Sequence, residues 1–157
     1  MTSLFRCPVC GAPLDRGERV YRCANGHSYD RAREGYTYLL PPNQKHSAAP
    51  GDDRDMAAAR RDFLSKGYYE PLLNTLCCQI LSLSGDGPAI LDAGCGEGYY
   101  TAGIFRTLAE AGRRPRMAAF DISKFCLRLA ARRERDLEWA VASSYHLPAA
   151  DGRFPAP

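Results

Sequence analysis

The sequence predicts an α/β protein: a parallel sheet of which three strands are present, preceded by a small metal-stapled module. Three observations lead there. From Pro88 to Ala142 short apolar runs alternate with helical stretches. A glycine-rich turn, Gly94 to Gly98, closes the first of those runs. Three cysteines and a histidine stand in two close pairs within the first 27 residues. Strand-helix-strand order predicts parallel strands joined by right-handed crossovers.

Residues 1–40 are rich in Cys, Gly, Tyr and Arg and show no long apolar periodicity. A segment of this size buries too little surface to fold without a staple. Residues 41–55, PPNQKHSAAPGDDRD, hold three prolines, a glycine and no large apolar side chain, and read as a linker. Residues 56–157 carry a helical lead-in and then the sheet. Ala57, Ala58, Ala59, Phe63 and Leu64 predict a short helix that stops near Gly67. Leu72, Leu73, Leu76, Ile80 and Leu83 recur at spacings of three and four. They predict a longer helix closed by Gly85, with Pro71 tolerated in its first turn. Ala89–Asp92 is the first predicted strand and Tyr99–Ala111 a helix ended by Gly112. Met117–Asp121 is the second strand, Lys124 to Arg133 a helix, and Leu137–Ala142 the third strand.

The bulk numbers exclude several classes. With 45% hydrophobic and 25% charged residues the composition is that of a soluble globular chain. No run approaches the ~18 apolar residues a membrane span needs, so no membrane partner is expected. The N-terminus lacks the apolar core of a secretory signal. Seven cysteines, an odd count, argue against a disulfide framework and for a cytoplasmic location. The formal charge of +3 permits an anionic partner without requiring one.

The spacing Cys7-x2-Cys10-x12-Cys23-x3-His27 offers three thiolates and an imidazole. Two-residue gaps let one turn present both sulfurs to one ion, and four protein ligands describe a structural Zn2+ site with no open position. Gly11 and Gly26 sit beside the ligands, and Phe5, Tyr21 and Tyr29 flank them as cover. Within residues 1–51 seven basic residues face four acidic ones, a net of +3. That density, with Tyr36 and Tyr38 to stack on bases, suits RNA. A solvated charged face with packed tyrosines accounts for it equally well.

The turn Asp92-Ala93-Gly94-Cys95-Gly96-Glu97-Gly98 follows a strand and precedes a helix, the context of a nucleotide-binding loop. Its spacing is not the G-x-G-x-x-G of pyrophosphate sites. Asp92 and Glu97 would repel a pyrophosphate and suit a cationic ligand such as S-adenosyl-L-methionine, which carries a sulfonium and an ammonium. Asp121 ends the second strand, where a carboxylate can accept from both ribose hydroxyls. Asp121 could instead cap the helix starting near Ser123, and Glu97 could be an ordinary first-turn acid. The third strand ends at Ala142-Ser143-Ser144, where such sheets commonly contact the adenine, which makes Ser143 a candidate for that contact.

These pieces together resemble the bacterial 23S ribosomal RNA guanine-N1-methyltransferases, in which a zinc module precedes a Rossmann-like domain. The matching segments are CPVCGAPL, CANGHSYD, REGYTYLLP, PGDDRDMAAARRDFL, GYYEPL, ILDAGCGEGYYT, FDISK and VASSYHLP, in order along the chain. The resemblance implies zinc ligation by Cys7, Cys10, Cys23 and His27. It implies cofactor contacts from Gly96 and Glu97 and, from the preceding helices, Tyr69. It also implies methyl transfer to N1 of a guanine in a 23S rRNA hairpin loop, the base being presented unstacked. It assigns no residue to removal of the N1 proton, so the catalytic residue is unknown.

The family continues beyond the third strand, so the chain is expected to be C-terminally truncated. Asp151-Gly152-Arg153-Phe154 would begin the approach to a fourth strand, and Pro155-Ala156-Pro157 excludes one. The first strand would then be an apolar edge that invites pairing, including a homodimer. Without the acceptor half of the site, the chain alone would be a weak or inactive enzyme. A non-catalytic zinc- and RNA-binding fragment and a small-molecule methyltransferase are the competing functions.

Overall fold

The structure, a computed structural model, describes residues 1–44, 47–48, 50–149, 152 and 154. Apart from Gly152 and Phe154, the segment expected to approach a fourth strand lies outside them.

Four short strands open the chain: β1 (Thr2–Arg6), β2 (Pro13–Arg16), β3 (Val20–Cys23) and β4 (Ser28–Asp30). They form an antiparallel sheet in sequence order. Then come β5 (Tyr36–Tyr38), α1 (Arg54–Leu64), α2 (Glu70–Leu83), β6 (Ala89–Ala93), α3 (Tyr99–Glu110), β7 (Arg116–Asp121), α4 (Lys124–Arg133) and β8 (Glu138–Val141). The helices and last three strands fall within three residues of their predicted ends. Asp53 caps α1 by accepting from the Met56 amide at 2.9 Å, and Pro71 sits in the first turn of α2.

The second sheet differs from its prediction. It has four strands, all parallel, in the order β5-β8-β7-β6. The added strand comes from within the first 40 residues, so a boundary at residue 40 falls after a strand that the sheet domain uses. Tyr36-Thr37-Tyr38 is too short to declare itself by alternation; its hydrogen bonds to β8, continued by the Leu39 amide on the Val141 carbonyl at 2.9 Å, decide its place. Thr37 is fully buried. Among the described residues, the opposite edge is β6.

Side chains alternate across each strand, which gives the sheet two buried faces. Met117, Ala119, Trp139 and Val141 meet the helical layer, in a core with Leu108, Leu127 and Ala130. Ala118, Phe120, Ala140 and Ala142 meet the antiparallel sheet, in a core with Leu4, Phe5, Leu14 and Tyr21. The small side chains on that second face let β1 lie close. Buried Glu138 clamps the seam: it accepts from the Ser3 hydroxyl and, at 3.2 Å, from the Leu4 amide. Arg116 donates to the Thr2 carbonyl at 2.8 Å, and the Arg6 amide donates to Pro148 at 2.7 Å. No helix among the described residues is long and apolar enough to cross a membrane.

Candidate metal centre and cofactor site

The β1–β2 turn carries Cys7 and Cys10, and the β3–β4 turn carries Cys23 and His27. The Cys7 carbonyl accepts from Gly11 at 2.8 Å, and the Cys23 carbonyl accepts from Gly26 at 3.1 Å, closing both turns tightly. The antiparallel register then brings the four ligand atoms within 4.8 Å of one another. Cys10 Sγ lies 3.8 Å from Cys23 Sγ, and His27 Nδ1 lies 3.4 Å from Cys23 Sγ and 3.6 Å from Cys7 Sγ. A tetrahedron built on Zn–S of about 2.3 Å and Zn–N of about 2.0 Å has edges of about 3.8 Å and 3.5 Å. The donor set and its spacing therefore fit zinc. The Tyr29 hydroxyl, 3.0 Å from Cys7 Sγ, adds a hydrogen bond to a ligand from outside.

The second site lies at the C-terminal ends of the parallel strands. Gly94, Gly96 and Gly98 all adopt left-handed backbone, with φ of 86°, 55° and 81°. That conformation reverses the chain between β6 and α3 at a small cost only for glycine. The Gly94 and Cys95 amides bond the Phe120 carbonyl at 2.9 and 3.1 Å, tying the loop to β7. A side chain at Gly94 would meet nothing within 4 Å, so that face of the loop is open. At Gly98 a Cβ would strike Ala130 and Trp139 at 2.9–3.0 Å, so that face is packed.

The acids divide into two kinds. Asp121 accepts from the Gly96 amide at 2.9 Å through one oxygen and from the Ser123 amide at 2.9 Å through the other. It therefore ties the loop to the turn that precedes α4, whose cap is Ser123, accepting from the Cys126 amide through its own hydroxyl. Asp92 accepts from the Thr101 hydroxyl at 2.6 Å; burial and then the Asp121 carboxylate push its pKa up against that bond. Glu97 departs from expectation. Its side chain is 1% exposed, caps the Tyr99 amide at 3.1 Å and is ion-paired with Arg133. It adds no negative charge to the open face, because a guanidinium neutralises it inside the fold.

Ser143 follows β8 and is buried. Its hydroxyl accepts from the Tyr145 amide at 3.2 Å, while Ala142 N–H bonds the Asp121 carbonyl at 3.0 Å. Tyr69 stands at the start of α2, half exposed, with its ring 5.8 Å from Phe63. Helix α2, which Tyr69 precedes, packs against α3, the helix that leaves the loop, with Leu73 against Gly103. Arg60 joins the site without having been singled out for it in the sequence. Its side chain lies over Gly96, 3.8 Å from where a Cβ would stand, and Asp52 holds it at 2.9 and 3.0 Å. The Ser123 hydroxyl anchors the Asp52 carbonyl at 2.6 Å, so the predicted linker is docked at the mouth of the loop.

This geometry agrees with relationships along the chain. The RlmA N-terminal zinc-ribbon family model matches residues 5–48. A 23S rRNA (guanine(748)-N(1))-methyltransferase of Streptomyces fradiae is 37% identical over 151 residues, covering 94% of this chain and 51% of that protein. The chain belongs to the 23S rRNA (guanine-N1)-methyltransferase family. A provisionally named family member from Micromonospora griseorubida is 36% identical over 166 residues, with 94% of this chain and 54% of that protein covered. Another from Bacillus subtilis is 30% identical over 158 residues, covering 97% and 54%. The chain spans about half the length of the curated relatives it matches. Membership accounts for the pairing of a ribbon with a glycine-loop sheet in one fold.

Proposed function

We propose that this chain binds S-adenosyl-L-methionine at the Gly94–Gly98 loop, holds structural zinc at Cys7, Cys10, Cys23 and His27, and serves methyl transfer to N1 of a guanine in a 23S rRNA hairpin loop in the cytoplasm. The observation that carries the reading is Asp121 fastened to the Gly96 amide, with Asp92 under the same loop. Two carboxylates there disfavour a pyrophosphate and favour a sulfonium. Each Asp121 oxygen bonds one amide and retains a lone pair for a ribose hydroxyl. The Arg60 stem lies over Gly96 and its guanidinium, held by Asp52 through two nitrogens, keeps further donors for the cofactor's carboxylate. Gly94 leaves the backbone open to close approach, Gly98 and buried Glu97 brace the loop from behind, and Ser143 and Tyr69 flank it.

Bound there, the cofactor supplies an activated methyl group; the chain's own work is alignment and exclusion of water. The names of the relatives support ribosomal RNA as acceptor. A cleft of about 580 Å³ between the zinc turns and the loop after β8, lined by Cys10, Tyr145 and His146, gives an unstacked base a place near the strand ends. Homodimer formation through the β6 edge belongs to the same proposal.

Calorimetric titration with S-adenosyl-L-methionine and with NAD tests the cofactor: uptake of the first alone is expected, and uptake of NAD alone would overturn it. Incubating unmodified 23S rRNA with tritiated donor and digesting to nucleosides tests the acceptor. Label in N1-methylguanine supports the reading; label confined to small acceptors would replace it.

A further inference from the structure

We propose that an arginine-lined track running from the back of the molecule to its cofactor end is the path of an RNA strand's sugar-phosphate backbone. Three concave surfaces make up this track, and they share walls. The first, about 690 Å³, lies at the seam between the zinc ribbon and the parallel sheet, lined by Arg16, Arg19, Arg31, Arg33 and Arg135 among others. The second shares Arg33, Glu34 and Arg135 with the first and adds Arg128 and Arg132 of α4. The third shares Arg128 and Arg132 with the second and adds Arg54 and Arg61 of α1. Shared linings make one continuous depression.

The charge is concentrated there. The three surfaces are lined by nine arginines and three acids (Glu18, Glu34 and Asp136), a net of +6. The whole chain carries +3, so everything off the track sums to −3. The few acids position cations more than they cancel them. Glu34 accepts from Arg128 at 3.0 Å and Arg132 at 3.4 Å, drawing two helix arginines onto one wall. Arg31 is fixed at the floor by donating to the Gly35 carbonyl at 3.0 Å. Among the described residues Arg19, Arg33 and Arg135 are exposed and make no ion pair.

The position of the track gives it a role the cofactor loop cannot fill. Arg33 and Arg135 precede β5 and β8, so the seam lies at the N-terminal ends of strands whose C-terminal ends hold the loop. The six residues of β7 span roughly 20 Å between those ends. Helix α4 runs back from the cofactor end, starting at Ser123 beside Asp52, and its arginines bridge the distance. A winding concave path of guanidiniums fits a polyanion of repeating phosphates better than a flat acidic surface. The track would hold RNA outside the target base and set its register. This inference deepens the RNA reading above and rests on it, while being independent of the cofactor.

The test is fluorescence anisotropy of the zinc-loaded chain with a labelled RNA hairpin, across a salt series, alongside calorimetry with S-adenosyl-L-methionine. Arg19→Gln, Arg33→Gln and Arg135→Gln together remove three phosphate contacts. At about −0.7 per contact the salt slope should flatten by about 2, which is about a hundredfold loss of affinity at 0.1 M salt that closes towards 1 M. A control with Arg22→Gln, Arg113→Gln and Arg114→Gln removes the same charge elsewhere and should cost no more than a few fold. Cofactor binding should be unchanged in both. Equal losses in the two triple variants, an unaltered slope in the first, equal binding of labelled polyglutamate, or no RNA binding by the wild type would each overturn the track. Loss of cofactor binding in the wild type would instead strike the proposed function and leave the track standing.

Discussion

Replacing Gly98 and Gly94 by alanine, one at a time, separates two costs that the cofactor loop combines. Both residues have positive φ, 81° and 86°, so alanine pays a left-handed backbone cost of about 1–2 kcal/mol at either. Both also share the gain from a stiffer unfolded chain. Their surroundings differ. The new methyl at Gly94 meets open space, whereas at Gly98 it falls 2.9 Å from Ala130 Cβ, 3.0 Å from Trp139 Cη2 and 3.1 Å from Ala130 Cα. Ala130 and Trp139 are fully buried and cannot step aside cheaply. Overpacking of this kind costs about 1–3 kcal/mol. With a urea slope of about 2 kcal/mol per molar, Gly98→Ala should unfold about 0.5–1.5 M earlier than Gly94→Ala. Trp139 is the only tryptophan, so its fluorescence reports the transition from the contact itself. Equal midpoints for the two variants would refute the claim that the back of the loop is packed and its front open.

Three further outcomes follow from the same geometry. Glu97→Ala should destabilise by about 3 kcal/mol in urea, because it leaves Arg133 unpaired and the Tyr99 amide uncapped; Glu97→Gln should cost less, since it keeps the cap. The Cys126 thiol is pushed up to about 11, by burial first and then by Asp121 and Asp52. Its folded value lies above its free one, so its contribution is intact below about pH 9 and is lost as pH rises towards 11. Cys126→Ala should lose less stability over that interval than the wild type, and parallel losses would contradict it. Zinc release, followed with a colorimetric chelator, should give one ion per chain. It should also open Arg16, Arg19 and Arg22 to trypsin while helical circular dichroism persists, because the ligands lie in the ribbon and the helices pack on the opposite face of the parallel sheet.

The helices and three of the parallel strands were legible because their signals are local. Leucines at three- and four-residue spacing, proline in a first turn and glycine past an end act within one or two turns of chain. The metal centre was legible for the same reason, since two close pairs of ligands fix a turn each. Glu97 shows the limit of such reading. A carboxylate inside a glycine loop looks like ligand-facing charge until Arg133, thirty-six residues on, is seen to neutralise it. Asp52 was hidden likewise, in a segment whose composition marks a linker and whose docking depends on Ser123, and Arg60 was hidden in the helix that follows it.

The sequence by itself determined the order of the four helices and last three strands, the zinc-ligand pattern and the glycine loop. Only the tertiary structure decided what covers the second face and where the sheet ends. Ala118 and Ala140 leave room that any apolar surface could fill, and Tyr36–Tyr38 could have stayed with the ribbon. Which partner takes those places turns on contacts between residues some hundred positions apart, such as Glu138 with Ser3 and Leu39 with Val141. Periodicity carries no information about pairs so distant, because it records which side of an element is buried and not what buries it.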